Sequence, residues 1–98
     1  MPRTSKIISK DILENTVEIL KALGHQDRLQ IVSILLSGEC QTGKLGDELG
    51  IRQAHTSQHL SILKMHGVLK SRREGNKVYY SIANDSIKKI VKTIITEI

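Results

Sequence analysis

The 98-residue sequence predicts a mainly α fold carrying one small β-hairpin, in the order α-α-α-α-β-β-α. Three observations predict it. Apolar residues recur at helical spacing between residues 12 and 66. The period then switches to two across residues 68–82. A stripe of branched aliphatics at helical spacing returns at Ile87 and persists to Ile98.

Residues 1–10 are polar and basic without a period and are expected to form a flexible tail, leaving a single domain over 11–98. From Asp11, Ile12, Leu13, Thr16, Val17, Leu20 and Leu23 mark one face of a first helix that Gly24 ends. A second helix is expected from about Gln26 to Leu36, with Leu29, Val32, Leu35 and Leu36 on one face and Ser37-Gly38 closing it. Thr42 is the expected N-cap of a short third helix that carries Leu45 and Leu49 and stops at Gly50. A fourth helix should run from Gln53 to His66, with Ala54, Ser57, Leu60, Ile62, Leu63 and Met65 as its buried stripe. Two helices joined by so short a glycine-containing link form a helix-turn-helix. Alternation then marks two strands around a Gly75-Asn76 tip, with Val78, Tyr80 and Ile82 sharing a side of the second. After an Asn84 or Asp85 cap, Ile87, Ile90, Val91, Ile94, Ile95 and Ile98 form the last stripe. A helix-turn-helix followed directly by a basic hairpin is a winged helix-turn-helix.

Charge is distributed unevenly. Residues 1–50 hold six Lys/Arg against seven Asp/Glu, whereas residues 51–98 hold nine against three. Such a balance would also suit a solvated surface, but clustering on this motif favours a polyanion, double-stranded DNA. The early turns of a recognition helix enter the major groove, where paired donors and acceptors match base edges. Arg52, Gln53, His55, Thr56, Gln58 and His59 offer that chemistry, with Lys64 further along the helix. On the wing, Arg72, Arg73, Asn76 and Lys77, beside Lys70, suit phosphate or the minor groove, although charges at a hairpin tip also serve solubility.

The histidines have blander readings too. His55 would be an ordinary exposed polar residue. His55 and His59 are spaced for a metal pair, but position 56 is Thr and no HExxH pattern exists, so no metal ligand is assigned. His66 is expected to meet carbonyls at its helix end, and His25 to be a turn residue. The two terminal stripes suggest a homodimer through Ile12, Leu13, Val17, Ile87, Ile90, Val91, Ile94 and Ile95, a symmetry that suits paired DNA half-sites. No phosphate loop, paired apolar carboxylates or nucleophilic triad is present, so an enzyme is not expected, and no cofactor is assigned. No apolar run is long enough for a membrane span, and the start lacks a signal-peptide pattern, so a cytoplasmic location is expected.

Three stretches resemble the ArsR/SmtB family. Leu20 to Ile31, LKALGHQDRLQI, resembles its "ALADPTRLRIL" opening; Thr56 to Leu69, TSQHLSILKMHGVL, its "VSQHLKVLRDAGLV" recognition helix; and Arg72 to Ile82, RREGNKVYYSI, its "RREGRxVYYxL" wing. Together they span roughly residues 12–96. The resemblance implies a small homodimeric repressor of operator DNA, in a family whose members often release DNA on binding a metal or an oxidised sulfur species. The family's third-helix metal motif, "ELCVCDL", is similar to Glu39-Cys40-Gln41-Thr42-Gly43-Lys44-Leu45, which puts its ligand positions on Gln41 and Gly43. The first ligand positions of its last-helix zinc site fall on Asn84 and Ser86, and only Glu97 remains of the rest. The resemblance therefore implies neither family metal site, and the inducer is unknown. Cys40, the single cysteine, is the one candidate redox residue, with a buried apolar filler as its rival reading. Two other functions stay open: a metal sensor using Cys40 and histidines of two subunits, and a winged-helix protein-interaction module without DNA.

Overall fold

The computed structural model describes residues 7–95, so the expected tail lies outside it for residues 1–6, as does Ile98 of the last stripe. The chain forms α1 (Lys10–Leu23), α2 (Gln26–Leu35), β1 (Cys40–Gln41), α3 (Thr42–Leu49), α4 (Gln53–Met65), β2 (Leu69–Glu74), β3 (Lys77–Ile82) and α5 (Asp85–Ile94). The expected order holds with one addition. The two-residue strand β1 joins the hairpin as a third antiparallel strand, in the order β1-β3-β2, pairing Cys40 with Tyr80 and Gln41 with Tyr79.

Local signals explain most boundaries. Ser9 caps α1 by accepting from the Ile12 N–H, and Asn84 Oδ1 caps α5 by accepting from the Ile87 N–H at 2.9 Å. His25 is the N-cap of α2, its Nδ1 accepting from the Asp27 N–H at 3.1 Å. Thr42, by contrast, does not cap α3. It is that helix's first residue, and its hydroxyl donates to the Val78 carbonyl of β3 at 3.3 Å. The wing turns on two residues. Glu74 pairs with Lys77, Gly75 has φ +63°, and Asn76 keeps a negative φ, the glycine-first pattern of a type II′ hairpin.

The core gathers Ile31, Val32 and Leu35 of α2, Leu45 of α3, Leu60 and Leu63 of α4, Val68, Leu69, Ile87 and Val91. Here the fourth-helix stripe shifts in phase. Its buried positions are Thr56, Leu60 and Leu63, whereas Ala54, Ser57 and Met65 face solvent. The last stripe divides similarly. Ile87 and Val91, one turn apart, are buried in the monomer core and Ile95 packs against it, so these three do not form a free dimer face. Ile90 and Ile94 point outward at 50% and 64% exposure, as do Ile12, Leu13, Val17 and Leu20 of α1.

A close helix contact lies in the helix-turn-helix. A methyl placed on Gly46 of α3 would meet Thr56 Oγ1 at 3.2 Å and the Ile51 carbonyl at 3.5 Å. Thr56 is fully buried and its hydroxyl is committed to the Arg52 carbonyl at 3.2 Å, so it has little room to retreat. Gly43, also in α3, has open space around its Cα. Gly43→Ala should therefore stabilise the fold by about 0.5–1 kcal/mol through helix propensity. Gly46→Ala should destabilise it by about 1 kcal/mol, because overpacking outweighs the same gain. Urea midpoints that moved in the same direction for both variants would contradict this packing.

Candidate nucleic-acid interface

Burial of Thr56, Leu60 and Leu63 fixes the roll of α4 and thereby sets its free face. Arg52, Gln53, His55 and Gln58 are exposed at its start. Gln53, Ser57 and Ser61, spaced by four, line a groove whose far wall is Asn76 and Lys77 of the wing, with Gln41, Thr42 and Gly43 at its end. Ser57 and Ser61 are thus neighbours of the groove that the sequence did not single out. Their i, i+4 spacing from Gln53 was the available signal, masked by assigning Ser57 to the buried stripe.

Two expected base-reading residues face the wrong way. Thr56 is fully buried against Gly46, and its one hydroxyl proton is used within the chain. His59 turns toward α2, where its ring lies 4.7 Å from that of His25 and its Nε2 is 3.6 Å from Asp27 Oδ2. Burial, reinforced by His25 and Arg28, pushes the His59 imidazole below its ordinary pKa, and Asp27 opposes this without prevailing. At neutral pH the ring is uncharged, and its approach to Asp27 is not an ion pair. His66 also departs from expectation. Its Nδ1 sits 3.7 Å from Glu18 Oε2 of α1 rather than on helix-end carbonyls.

The basic wing residues fall on opposite faces. Strand alternation and register put Arg72 with Tyr79 on the outer face, and Arg73 with Val78 on the face shared by Ser71. Arg72 lies over the Tyr79 ring at 4.5 Å and reaches across the central strand, its Nε donating to Glu39 Oε2 at 2.9 Å. Its Nη1 donates to Glu74 Oε2 at 2.7 Å. These bonds raise the Arg72 pKa further and hold Glu39 below the usual carboxylate range. Arg72 is therefore engaged on both sides, and its expected phosphate role conflicts with that pairing. Lys64 of α4 donates to Ser71 Oγ at 2.8 Å, joining the recognition helix to the wing. Among the described residues, Arg52, Arg73 and Lys77 form no ion pair.

Cys40 directly precedes Gln41, the N-cap of α3. It lies in β1, half-buried, with Sγ 3.6 Å from the Gln41 carbonyl oxygen. Burial, then Glu48, pushes its thiol up, with Lys44 acting the other way, so the environment opposes the thiolate. The positions that the family resemblance assigned to metals hold no ligand pair: Gln41 is in β1, Gly43 in α3, and Asn84 is spent on its cap. Among the described residues, the potential metal-ligand group is His25, Asp27 and His59, whose ligand atoms lie within 4.8 Å of one another.

Comparison with known proteins gives one answer. The description "Bacterial regulatory protein, arsR family" matches residues 25–71. The transcriptional activator HlyU of Vibrio cholerae is 33% identical over 80% of this chain and 72% of its own length, and its structure superposes with a TM-score of 0.84. The transcriptional repressor PagR of Bacillus anthracis has a TM-score of 0.81 at 33% identity, covering 88% of this chain and 99% of its own. A homodimeric winged helix-turn-helix DNA-binding domain from Mycobacterium bovis, a possible ArsR-family transcriptional regulator, has a TM-score of 0.83. It is 26% identical, over 96% of this chain and 89% of its own.

The depressed pKa of His59 makes stability pH-dependent. Below about pH 6.5 the unfolded imidazole takes up a proton that the folded one resists, so its stabilising contribution is complete above that pH. That contribution is lost as pH falls toward the folded pKa. Urea midpoints should therefore drop between pH 7 and pH 5, and His59→Gln should flatten the drop. An unchanged slope in the variant would place the titrating group elsewhere.

Proposed function

Since the chain belongs to the arsR family of bacterial regulatory proteins, we propose that it binds a specific operator in double-stranded DNA as a homodimer and represses transcription. As a winged helix-turn-helix regulator it is a DNA-binding protein and not an enzyme. The observation that carries the finer reading is the free face of α4. Gln53, His55 and Gln58 stand exposed there beside Arg52, the wing brings Asn76 and Lys77 alongside, and Arg73 is exposed on the same hairpin. Gln amide groups match the N6 and N7 edge of adenine, while cations at the rim neutralise phosphate and release counterions.

The dimer reading rests on the outward apolar residues of the two terminal helices. Ile12, Leu13, Val17 and Leu20 on α1, with Ile90 and Ile94 on α5, are exposed aliphatic side chains in the single chain, and dimerisation would cover them. The Mycobacterium bovis relative is described as homodimeric, which supports the same arrangement here. PagR is named a repressor and HlyU an activator, so the direction of control is taken from the chemistry of simple operator occupancy. No helix of the described residues is long and apolar enough to cross a membrane, and the reading includes a cytoplasmic site of action.

Operator affinity should fall steeply with salt, the slope reporting the phosphates neutralised. Arg73→Ala and Lys77→Ala should weaken binding to all duplexes similarly, and each more than Arg72→Ala, whose guanidinium is already paired. Gln58→Ala should reduce the preference for operator over random DNA by about 1–3 kcal/mol. Titrations by fluorescence anisotropy test all three, and an unchanged specificity ratio in Gln58→Ala would move base reading to Gln53 or His55.

Ile90→Glu combined with Ile94→Glu should give folded monomers, since neither side chain belongs to the monomer core. Sedimentation checks the mass and circular dichroism the fold. A wild-type mass of one chain at tens of micromolar would refute the dimer.

A further inference from the structure

His25, Asp27 and His59 take no part in the DNA-facing surface, and they join two elements with different tasks. His25 and Asp27 open α2, whereas His59 belongs to α4, the helix that carries the proposed base-reading face. Their ligand atoms lie within 4.8 Å of one another, and the Asp27–His59 pair is already at 3.6 Å. Ligands around a tetrahedral zinc ion at about 2.0–2.1 Å from the metal are about 3.4 Å apart. The carboxylate and the His59 imidazole thus need almost no movement, and exposed His25 needs about an ångström.

We infer that His25, Asp27 and His59 form a site for a divalent transition metal such as zinc or cobalt that bridges α2 to the recognition helix. Two borderline imidazoles, which calcium and magnesium rarely take, favour these ions beside one harder carboxylate, and three protein ligands leave a position for water. His59 Nδ1 is buried without a hydrogen-bond partner, so the ring lacks the bond on its other nitrogen that usually orients a metal-bound imidazole, which lowers the affinity.

The surroundings limit the affinity. Arg28, whose Nε donates to the Ala22 carbonyl at 2.6 Å, adds positive charge, as does the amino end of α2. His55 contributes weakly in the same direction when charged. In addition, the Nδ1 of His25 presently accepts the Asp27 N–H, and ligation by either ring nitrogen changes that cap bond. The site is therefore one of moderate strength and not a structural zinc centre on which folding depends.

Metal binding is measurable without DNA, so although its regulatory consequence rests on the proposed function, the test of the site does not. Cobalt(II) titrated into tag-free full-length protein should give visible d–d absorption saturating at one ion per chain. Zinc should displace it. His25→Asn, which retains a capping side chain, and Asp27→Asn should each weaken cobalt binding at least tenfold while circular dichroism stays unchanged. Cys40→Ser should leave the spectrum as it is. Absence of d–d bands at millimolar cobalt would overturn the site. So would equal binding by wild type and the two Asn variants, or a near-ultraviolet sulfur-to-cobalt band that vanishes in Cys40→Ser.

Discussion

The contact between Gly46 and Thr56 is the constraint on which the rest of the molecule depends. A bare backbone on α3 lets α4 come close enough for the Thr56 side chain to fill the gap, with its hydroxyl turned back to the Arg52 carbonyl. Leu60 and Leu63 continue the same buried line one and two turns later. Once those three positions are inside, the helical period leaves no freedom over what lies outside. Gln53, Ser57 and Ser61 must face the wing, and His55 and Gln58 must face solvent. Specific recognition by so short a helix requires a fixed roll, and that roll is set by one missing methyl group.

Much of this architecture was legible because its signals are periodic. The switch from a spacing of 3.6 to a spacing of two at Val68, and back again near Ile87, locates the hairpin without ambiguity. The strand β1 had no such signal: two residues cannot display a period, and Cys40 and Gln41 become a strand only because Tyr80 and Tyr79 supply the ladder. The phase of α4 misled for a related reason. Thr56 and His59 are polar by type, so a reading by residue class places them outside, yet threonine buries readily when its hydroxyl bonds a carbonyl one turn back. The isoleucines of α5 failed in the opposite sense. All are apolar, so composition alone could not separate Ile87 and Val91, which fill the core, from Ile90 and Ile94, which do not.

Charge shows what sequence distance hides. Glu39 lies 33 residues from Arg72, and nothing in either neighbourhood links them. Their meeting requires the strand order β1-β3-β2, in which Arg72 spans the central strand to reach the far edge. The bond neutralises one of the hairpin's cations and ties the amino-terminal edge of the sheet to the wing. Of the wing's basic residues, Lys77 lines the groove beside α4.

The chain has no Trp, no Phe and two Tyr, and both tyrosines are neighbours on β3. Its intrinsic ultraviolet emission therefore originates entirely within the wing. Tyr79 lies under the Arg72 guanidinium on the outer face, and Tyr80 packs against the core on the inner one. The two rings view different surroundings from adjacent positions. A polyanion closing on the hairpin, or release of Arg72 from Glu39, would alter that light directly. Rearrangement confined to the terminal helices would leave it unchanged. The protein thus carries its own optical label on the hairpin, away from the terminal helices.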